Sequence, residues 1–476
     1  MGQEIDKAEF NPADFERFQR RLTSEMALLR ELFISDSFNS GHQAGGTELE
    51  VWLVDESTQP APVNQEFISR LSNPLVVHEL SRFNVELNSM PHELTGRALR
   101  LMHKEMADLW QSCIETAATL NTRLAMIGTL PVLEDSLLTM ANMSEVERYR
   151  GLNEQVLNLR QGMPIILDIR GTDHLQSSHQ DVMLEAAATS FQIHLQVRPE
   201  NAVRYYNASV LTSAPLLAAA ANSPILFGKD LWAESRIPLF EQAVNTDSDG
   251  EMGHTGRSRV TFGHAWCKES VLELFEENMD LYPILLPTVC DTNKENLWHL
   301  RLHNGTIWRW NRPLIGLDGN GYHLRIEQRV VPAGPTITDM IANAAFYYGL
   351  TAALASEQLA PELQISFEQV KEDFYVVAER GLEASIHWPG HGRTKVQTLL
   401  LEELIPAARA GLSELSLSEI DTNYYLDVLR ERVVSGQNGA MWQRSYIRHH
   451  QCSLREMTEA YLENQQSFKP VHEWLI

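Results

Sequence analysis

Two hydrophobic periods alternate along the chain. Apolar positions at helical spacing run through Phe10 to Phe33, where Phe15, Phe18, Leu22, Met26 and Leu29 mark one face. The same spacing recurs over Arg97 to Ile127, Ser144 to Leu159 and Asn201 to Ala221, and it dominates from Thr338 to the C-terminus. Between these stretches lie shorter extended runs at Thr47 to Val54, Glu79 to Asn88, Phe191 to Val197, Leu300 to Arg312 and Tyr322 to Val331. They are amphipathic, unlike the continuous apolar runs of a parallel sheet, and so predict an antiparallel sheet with one wet face. Polar stretches at Asn39 to Gly46 and Thr246 to Arg259 read as loops; Gly250 to Gly256, with His254, is either a lid or a plain surface loop. The pattern predicts one α+β catalytic domain over 1–476. An N-terminal helix and loop occupy 1–45, a sheet-forming core 46–337, and a mostly helical tail 338–476 packs on that core.

The polar faces of the extended runs carry the chemistry. Side chains alternate across a strand, so Leu49, Val51 and Leu53 point one way while Glu48, Glu50 and Trp52 point the other. Two carboxylates roughly 7 Å apart on one face repel unless a cation lies near them. Glu86 and Asn88 share a face opposite Val85 and Leu87; Gln192, His194 and Gln196 do so opposite Ile193 and Leu195. His323, Arg325, Glu327 and Arg329 form a fourth such row, and Trp308, Trp310 and Arg312 a fifth. Paired in one sheet, these rows make a floor of carboxylates, one imidazole, amides and guanidiniums. Carboxylate oxygens suit Mg²⁺ or Mn²⁺, and arginines beside them suit phosphate. Spacing alone therefore points to a divalent metal and an anion, against the plainer reading in which each polar face simply meets water.

Composition narrows the field. The 476 residues are 43% hydrophobic, enough for a large core. Lys and Arg number 39 and Asp and Glu 63, giving a net charge of −24 that repels nucleic acid in the absence of a basic stripe. Cys113, Cys267, Cys290 and Cys452 are far apart, with no CxxC pair and no histidine at zinc spacing, which predicts a reducing compartment. The apolar stretches at Ala214 to Ala221 and Ile341 to Ala355 are short or interrupted, so no bilayer span is expected. With an acidic, polar N-terminus, the expectation is a cytoplasmic protein; a homo-oligomer is left open.

Taken in order, the motifs resemble a family. Gly46-Thr47-Glu48-Leu49-Glu50 resembles the GxExE strand that opens the second group of glutamate–cysteine ligases and related carboxylate–amine ligases. Glu79 to Asn88 resembles that family's second acidic strand, and Gln192-Ile193-His194 its (Q/H)xH strand. Asn222-Ser223-Pro224 through Gly228 and Ser235-Arg236 resembles its NSP…G…SR segment; Trp310-Asn311-Arg312-Pro313 resembles its WDxRP, and Glu327-Gln328-Arg329 its ExR strand. The correspondence runs from about Gly46 to Gly349. It departs at Asn311, where the family has Asp, and at Val331-Pro332-Ala333-Gly334, where the family's Asp is missing; both departures bear on the amine substrate.

The resemblance implies a glutamine-synthetase-like fold, a curved antiparallel sheet lined with metal-binding carboxylates and backed by helices. It implies ATP and Mg²⁺ (or Mn²⁺) as cofactors and amino acids as small-molecule substrates. Glu48, Glu50, Glu86, His194 and Glu327, with Glu79 as a further candidate, would hold the metal. Arg312 and Arg329 would contact the transferring phosphoryl group or the substrate carboxylate, and Arg236 either. Trp310 is a candidate for stacking on the nucleotide, against the commoner role of strand aromatics in packing. No GxxxxGK[ST] segment is present, and the Gly316 to Gly321 turn lacks GxGxxG spacing, so a P-loop does not hold the nucleotide. The leading expectation is an ATP-dependent carboxylate–amine ligase of glutamate–cysteine ligase type. Competing expectations are a metal-dependent hydrolase or amidase on the same cluster, and a non-catalytic nucleotide-binding relative. His449-His450 and Arg444 read as surface groups of the tail, Arg444 with an equal claim to reach the site.

Overall fold

A computed structural model describes residues 3–35, 37–39, 41, 43–246, 258–356 and 360–476. The Gly250 to Gly256 segment with His254 lies outside the described residues. The principal sheet has eight strands: β1 (Ala44–Asp55), β2 (Val76–His78), β3 (Asn84–Asn88), β4 (His92–Glu93), β5 (Thr122–Ala125), β6 (Phe191–Val197), β7 (Asn311–Asp318) and β8 (Gly321–Gln328). β1 is the hub. It pairs with β3 over Glu48 to Trp52 and with β6 over Gly45 to Leu49, while β4 and β5 take its two ends. The order β7-β8-β6-β1-β3-β2 is antiparallel throughout, and its twist curls it into a half-barrel.

Helices back the apolar face. They include α1 (Pro12–Ile34), α2 (Ala98–Ala118), α3 (Glu147–Leu159), α4 (Ala202–Ala220), α5 (Arg236–Ala243) and α6 (Ile337–Ser356). The tail adds α7 (Phe367–Arg380), α8 (Ile405–Glu414), α9 (Glu419–Ser435), α10 (Gly439–His450) and α11 (Leu454–Gln466). α1 opens with Pro12 after a capping box, in which Asn11 accepts from the amides of Ala13 and Asp14 while the Asp14 side chain accepts from the Asn11 amide. α6 is apolar almost all round and buried, as a central helix must be. Its Tyr348 hydroxyl donates to the His194 carbonyl at 3.2 Å and lies 2.5 Å from where a Cβ on Gly45 would sit, so the second residue of β1 must be glycine. α6 and α8 approach equally closely: a Cβ on Gly411 would stand 2.0 Å from the Gly349 carbonyl oxygen. α11 returns to the sheet beside β5, where Gln465 accepts from the Met126 amide at 2.7 Å and donates to the Leu124 carbonyl at 3.0 Å. Buried side chains of core and tail form one contiguous cluster.

Four readings change. The helical pattern over Arg97 to Ile127 stops at Ala118; Asn121 takes φ 53° and the apolar run Leu124-Ala125 becomes strand, because the end of β1 offers unpaired backbone groups. Leu300 to Arg312 is not one extended run: Trp298–Asn304 is helix, and Trp308–Arg309 pairs in parallel with Val260–Thr261 before Asn311 enters β7. Glu79 precedes β3 instead of lying in it. The polar face is not wet: Glu48, Glu86, His194 and Glu327 are all buried beneath the segments that roof a cleft. A hairpin at Ile165–Arg170 and His174–His179 adds a two-stranded sheet that the periodicity did not announce. Among the described residues, no helix is long and apolar enough to cross a membrane.

Candidate active site

Register assembles the floor. Arg312 faces Glu327 across β7 and β8, Glu327 faces His194 across β8 and β6, and Glu48 stands beside Gln192. On the other side of β1, Glu50 faces Glu86. Because one strand alternates with period two, all these side chains emerge on one face; Glu48, Glu50, Glu86, Gln192, Arg312 and Glu327 line a cleft of about 510 Å³, with His194 buried beside them.

Two groups of ligand atoms result, each drawn together within 4.8 Å: Glu48, His194 and Glu327, and Glu50, Glu79 and Glu86. The histidine trio is laced with arginine. Arg312 holds Glu327 in a fork, Nε to Oε2 at 2.8 Å and Nη2 to Oε1 at 3.0 Å, and Arg329 Nη1 donates to the same Oε2 at 3.1 Å. Burial alone would raise the Glu327 carboxyl, but these two guanidiniums bring it down to about 2. Burial likewise opposes ionisation of Glu48, and the surrounding positive charge, His194 included, carries it well below the usual carboxylate range. His194 Nε2 is 3.1 Å from Glu48 Oε1 yet out of hydrogen-bond alignment, and Arg325 Nε donates to Nδ1 at 3.3 Å.

The carboxylate trio differs. Ser190 donates its amide at 2.7 Å and its hydroxyl at 2.9 Å to Glu50, and Gln192 Nε2 adds a third bond at 2.9 Å. Glu86 receives Asn88 Nδ2 at 2.8 Å, and Glu79, among the described residues, only its neighbour's amide at 3.2 Å. Burial, with the like charges of Glu50 and Glu86, pushes Glu79 well above the ordinary value; burial also raises Glu50 and Glu86. Oxygen-rich donors at this separation, with an orphaned ring nitrogen in the neighbouring trio, fit Mg²⁺ or Mn²⁺.

The remaining candidates divide. Arg312 and Arg329 line the cleft with Arg301 and Arg325. Arg236 is buried and committed to the protein: Nε donates to Glu234 at 3.2 Å, Nη1 to the Arg329 carbonyl at 3.3 Å and Nη2 to the Val330 carbonyl, so it braces the end of β8. Trp310 is sealed against Phe240 and Phe374, its ring 5.4 Å from the Arg236 guanidinium and its Nε1 donating to Glu241 at 2.8 Å. Trp308 lines the cleft. Arg444 binds Asp230 at 2.8 Å and the Leu231 carbonyl, and His449-His450 is exposed.

A side pocket of about 50 Å³ opens off the cleft, sharing Glu50, Glu79 and Arg329 with it. It exposes a residue that sequence reading missed, Glu185, on the short turn Met183–Ala187. Burial raises its carboxyl to about 7. The available signal was its context, the single charged residue within Val182-Met183-Leu184-Glu185-Ala186-Ala187-Ala188. Ser190, which grips Glu50, sits one residue before the recognised strand and left no signal.

Comparison places the geometry among known proteins. Glutamate-cysteine ligase family 2 (GCS2) matches residues 45–465. The glutamate–cysteine ligase of Francisella tularensis, solved in complex with AMP, superposes with a TM-score of 0.58 at 11% identity, covering 91% of this chain and 89% of that one. A bifunctional glutathione synthetase from Pasteurella multocida gives a TM-score of 0.50 at 11% identity over 95% of this chain, which spans 55% of its length. No curated protein sequence matches. At such identity the two structures speak for the fold alone, whereas the family match spans nearly the whole chain: this protein belongs to glutamate-cysteine ligase family 2 and is a carboxylate–amine ligase.

Proposed function

We propose that the enzyme uses ATP and Mg²⁺ to join the carboxylate of L-glutamate to an amine, cysteine being the default, through an acyl phosphate. The observation that carries the reading is the pair of metal-type trios on one floor beside five arginines, Arg148, Arg301, Arg312, Arg325 and Arg329. A carboxylate resists attack by an amine. Its oxygen takes the γ-phosphoryl group of ATP, the bond to ADP breaks, and phosphate becomes the leaving group. The amine nitrogen then bonds to the acyl carbon as phosphate departs, and the nitrogen releases a proton.

Such chemistry rests mainly on positioning and charge neutralisation. Divalent ions held by Glu48, His194 and Glu327 and by Glu50, Glu79 and Glu86 would neutralise the phosphate charge. With its proton on Nε2, His194 accepts from Arg325 at Nδ1; ligation through Nε2 requires the other tautomer and costs that contact. Arg312 and Arg329 serve twice, fixing Glu327 and presenting cationic edges to the transferred group. Arg236, with its donors spent on β8, orients Arg329 from behind. The cytoplasm, where ATP and reduced thiols are available, is the compartment this reading supports.

The test is ADP and phosphate release with Mg²⁺-ATP and L-glutamate against cysteine, other amino acids and alkylamines. Release that requires both glutamate and one amine is expected. Amide hydrolysis without nucleotide would replace the reading with a metallohydrolase, and tight ATP binding without turnover on any acid or amine would leave a nucleotide-binding relative.

A further inference from the structure

Three buried polar atoms around the side pocket lack partners among the described residues: Glu185 Oε2, Arg329 Nε and Asn84 Nδ2. A native interior rarely leaves such atoms unpaired, since each orphan costs about 1–3 kcal/mol. Three in one cavity mean that something polar belongs there. The orphans differ in sign, an anionic oxygen from the Met183–Ala187 turn and a cationic nitrogen from the residue after β8. Glu185 is not in either metal-type trio, so its free oxygen is not accounted for by the metal. Ala186, Ala188, Phe240 and Trp310 add apolar wall, and Thr189, Ser190 and Arg236 add polar wall. The volume of about 50 Å³ admits only a few non-hydrogen atoms, too few for a purine and enough for the head of an amine.

We propose that Glu185 recognises the amine substrate, its Oε2 accepting a hydrogen bond from the ammonium group in the side pocket. The assignment rests on the ligase reading and adds the group that selects an amine arriving as an ammonium ion, which passes one proton to the Glu185 carboxylate or to solvent before its nitrogen attacks. Amines enter at neutral pH as ammonium ions, and a desolvated carboxyl whose Oε2 accepts from no described residue offers such an ion a partner. Placement suits the role, because Glu185 lines both the side pocket and the cleft that holds the trios.

The test compares two nucleophiles in one enzyme: the preferred cationic amine of the panel above, and hydroxylamine, which is uncharged at neutral pH and traps an acyl phosphate as a hydroxamate. Glu185→Gln should raise the KM of the cationic amine, relative to that of hydroxylamine, by about 10–100-fold, the worth of a hydrogen bond to a charged group. Glu185→Asp, which keeps the charge on a shorter arm, should recover part of that selectivity. Equal loss with both nucleophiles, or no loss with either, overturns the assignment. So does a rise in the KM of glutamate in place of the amine, or hydroxamate formation by an enzyme that accepts no cationic amine. Failure of the wild-type enzyme to form hydroxamate from glutamate and Mg²⁺-ATP sinks the ligase reading itself, and the assignment with it.

Discussion

The two trios are built from the same strands and face the same cleft, yet they are electrostatic opposites. Around Glu48, His194 and Glu327 the fold supplies its own counter-charge, and both carboxyls sit low. Around Glu50, Glu79 and Glu86 it supplies polar donors and, among the described residues, no cation at ion-pair distance, and all three carboxyls rise. The first trio is balanced before anything binds, which fixes its geometry. The second is incomplete, with three acids gathered at a cost that a bound cation repays. One floor thus combines a preorganised half with a half that stays unfavourable until its ligand arrives.

Removing the cation should have the largest effect. Chelation should abolish turnover, and Glu50→Ala should lower kcat by on the order of 10²–10³-fold, the scale of losing a main electrostatic stabiliser; undiminished kcat would dismiss the carboxylate trio as a metal site. Stability should then separate the halves. Glu327→Gln strips two buried guanidiniums of their anion and should cost on the order of 3 kcal/mol in denaturant unfolding. Glu79→Gln removes a like charge, so the metal-free protein should become no less stable, and slightly more so at pH 8. Destabilisation by both to the same degree would erase the contrast.

The halves were also unequally legible. Glu48, Glu50, Glu86, His194 and Glu327 announce themselves because strand alternation and register are local rules, and a charged residue opposite Val or Leu stands out. Glu79 could be named but not placed, since it lies outside the strand where periodicity stops. Trp310 and Arg236 show the limit from the other side: in sequence each is a functional residue type beside a motif, and only packing shows that one is enclosed and the other committed to backbone carbonyls. Glu185 and Ser190 were invisible as site residues because what matters about them is which cavity they reach. For the fold, the antiparallel sheet and helical tail followed from period, whereas β5 did not, because Leu124 to Ile127 is equally apolar as helix or strand.

A titration against Mg²⁺ sharpens the comparison further. The carboxyls of Glu50, Glu79 and Glu86 lie above their unfolded values, so what they contribute to stability is full below about pH 4 and is lost as pH rises through the raised values. Glu48 and Glu327 lie below theirs; their contribution holds above about pH 4 and fades only toward strong acid. Between pH 5.5 and 8 the raised carboxyls, the carboxylate trio among them, should therefore lower the stability of the metal-free protein, while Glu48 and Glu327 should not. Because Mg²⁺ binds the ionised acids, the rise in Tm on adding it should be larger at pH 8 than at pH 5.5. Saturation at a hundredfold excess over Kd corresponds to about 2.7 kcal/mol. A gain independent of pH would overturn the assignment of the ion to the carboxylate trio.

The smallest effect expected comes from Trp310, which stands behind the floor. Phenylalanine in its place keeps a ring between Phe240 and Phe374 but loses the bond from Nε1 to Glu241. Glu241 retains the Tyr375 hydroxyl at 2.8 Å, so Trp310→Phe should cost about 1 kcal/mol in unfolding. The KM for ATP should not move, since the indole reaches only the side pocket, too small for a purine, and its face is turned to Arg236. A purine platform behaves otherwise, because stacking contributes about 1–3 kcal/mol per base. A rise in the ATP KM with kcat preserved would make Trp310 part of the nucleotide site. Unchanged KM with a lower melting temperature would confine it to bracing Arg236, and through Arg236 the strand end that carries Arg329 to both trios.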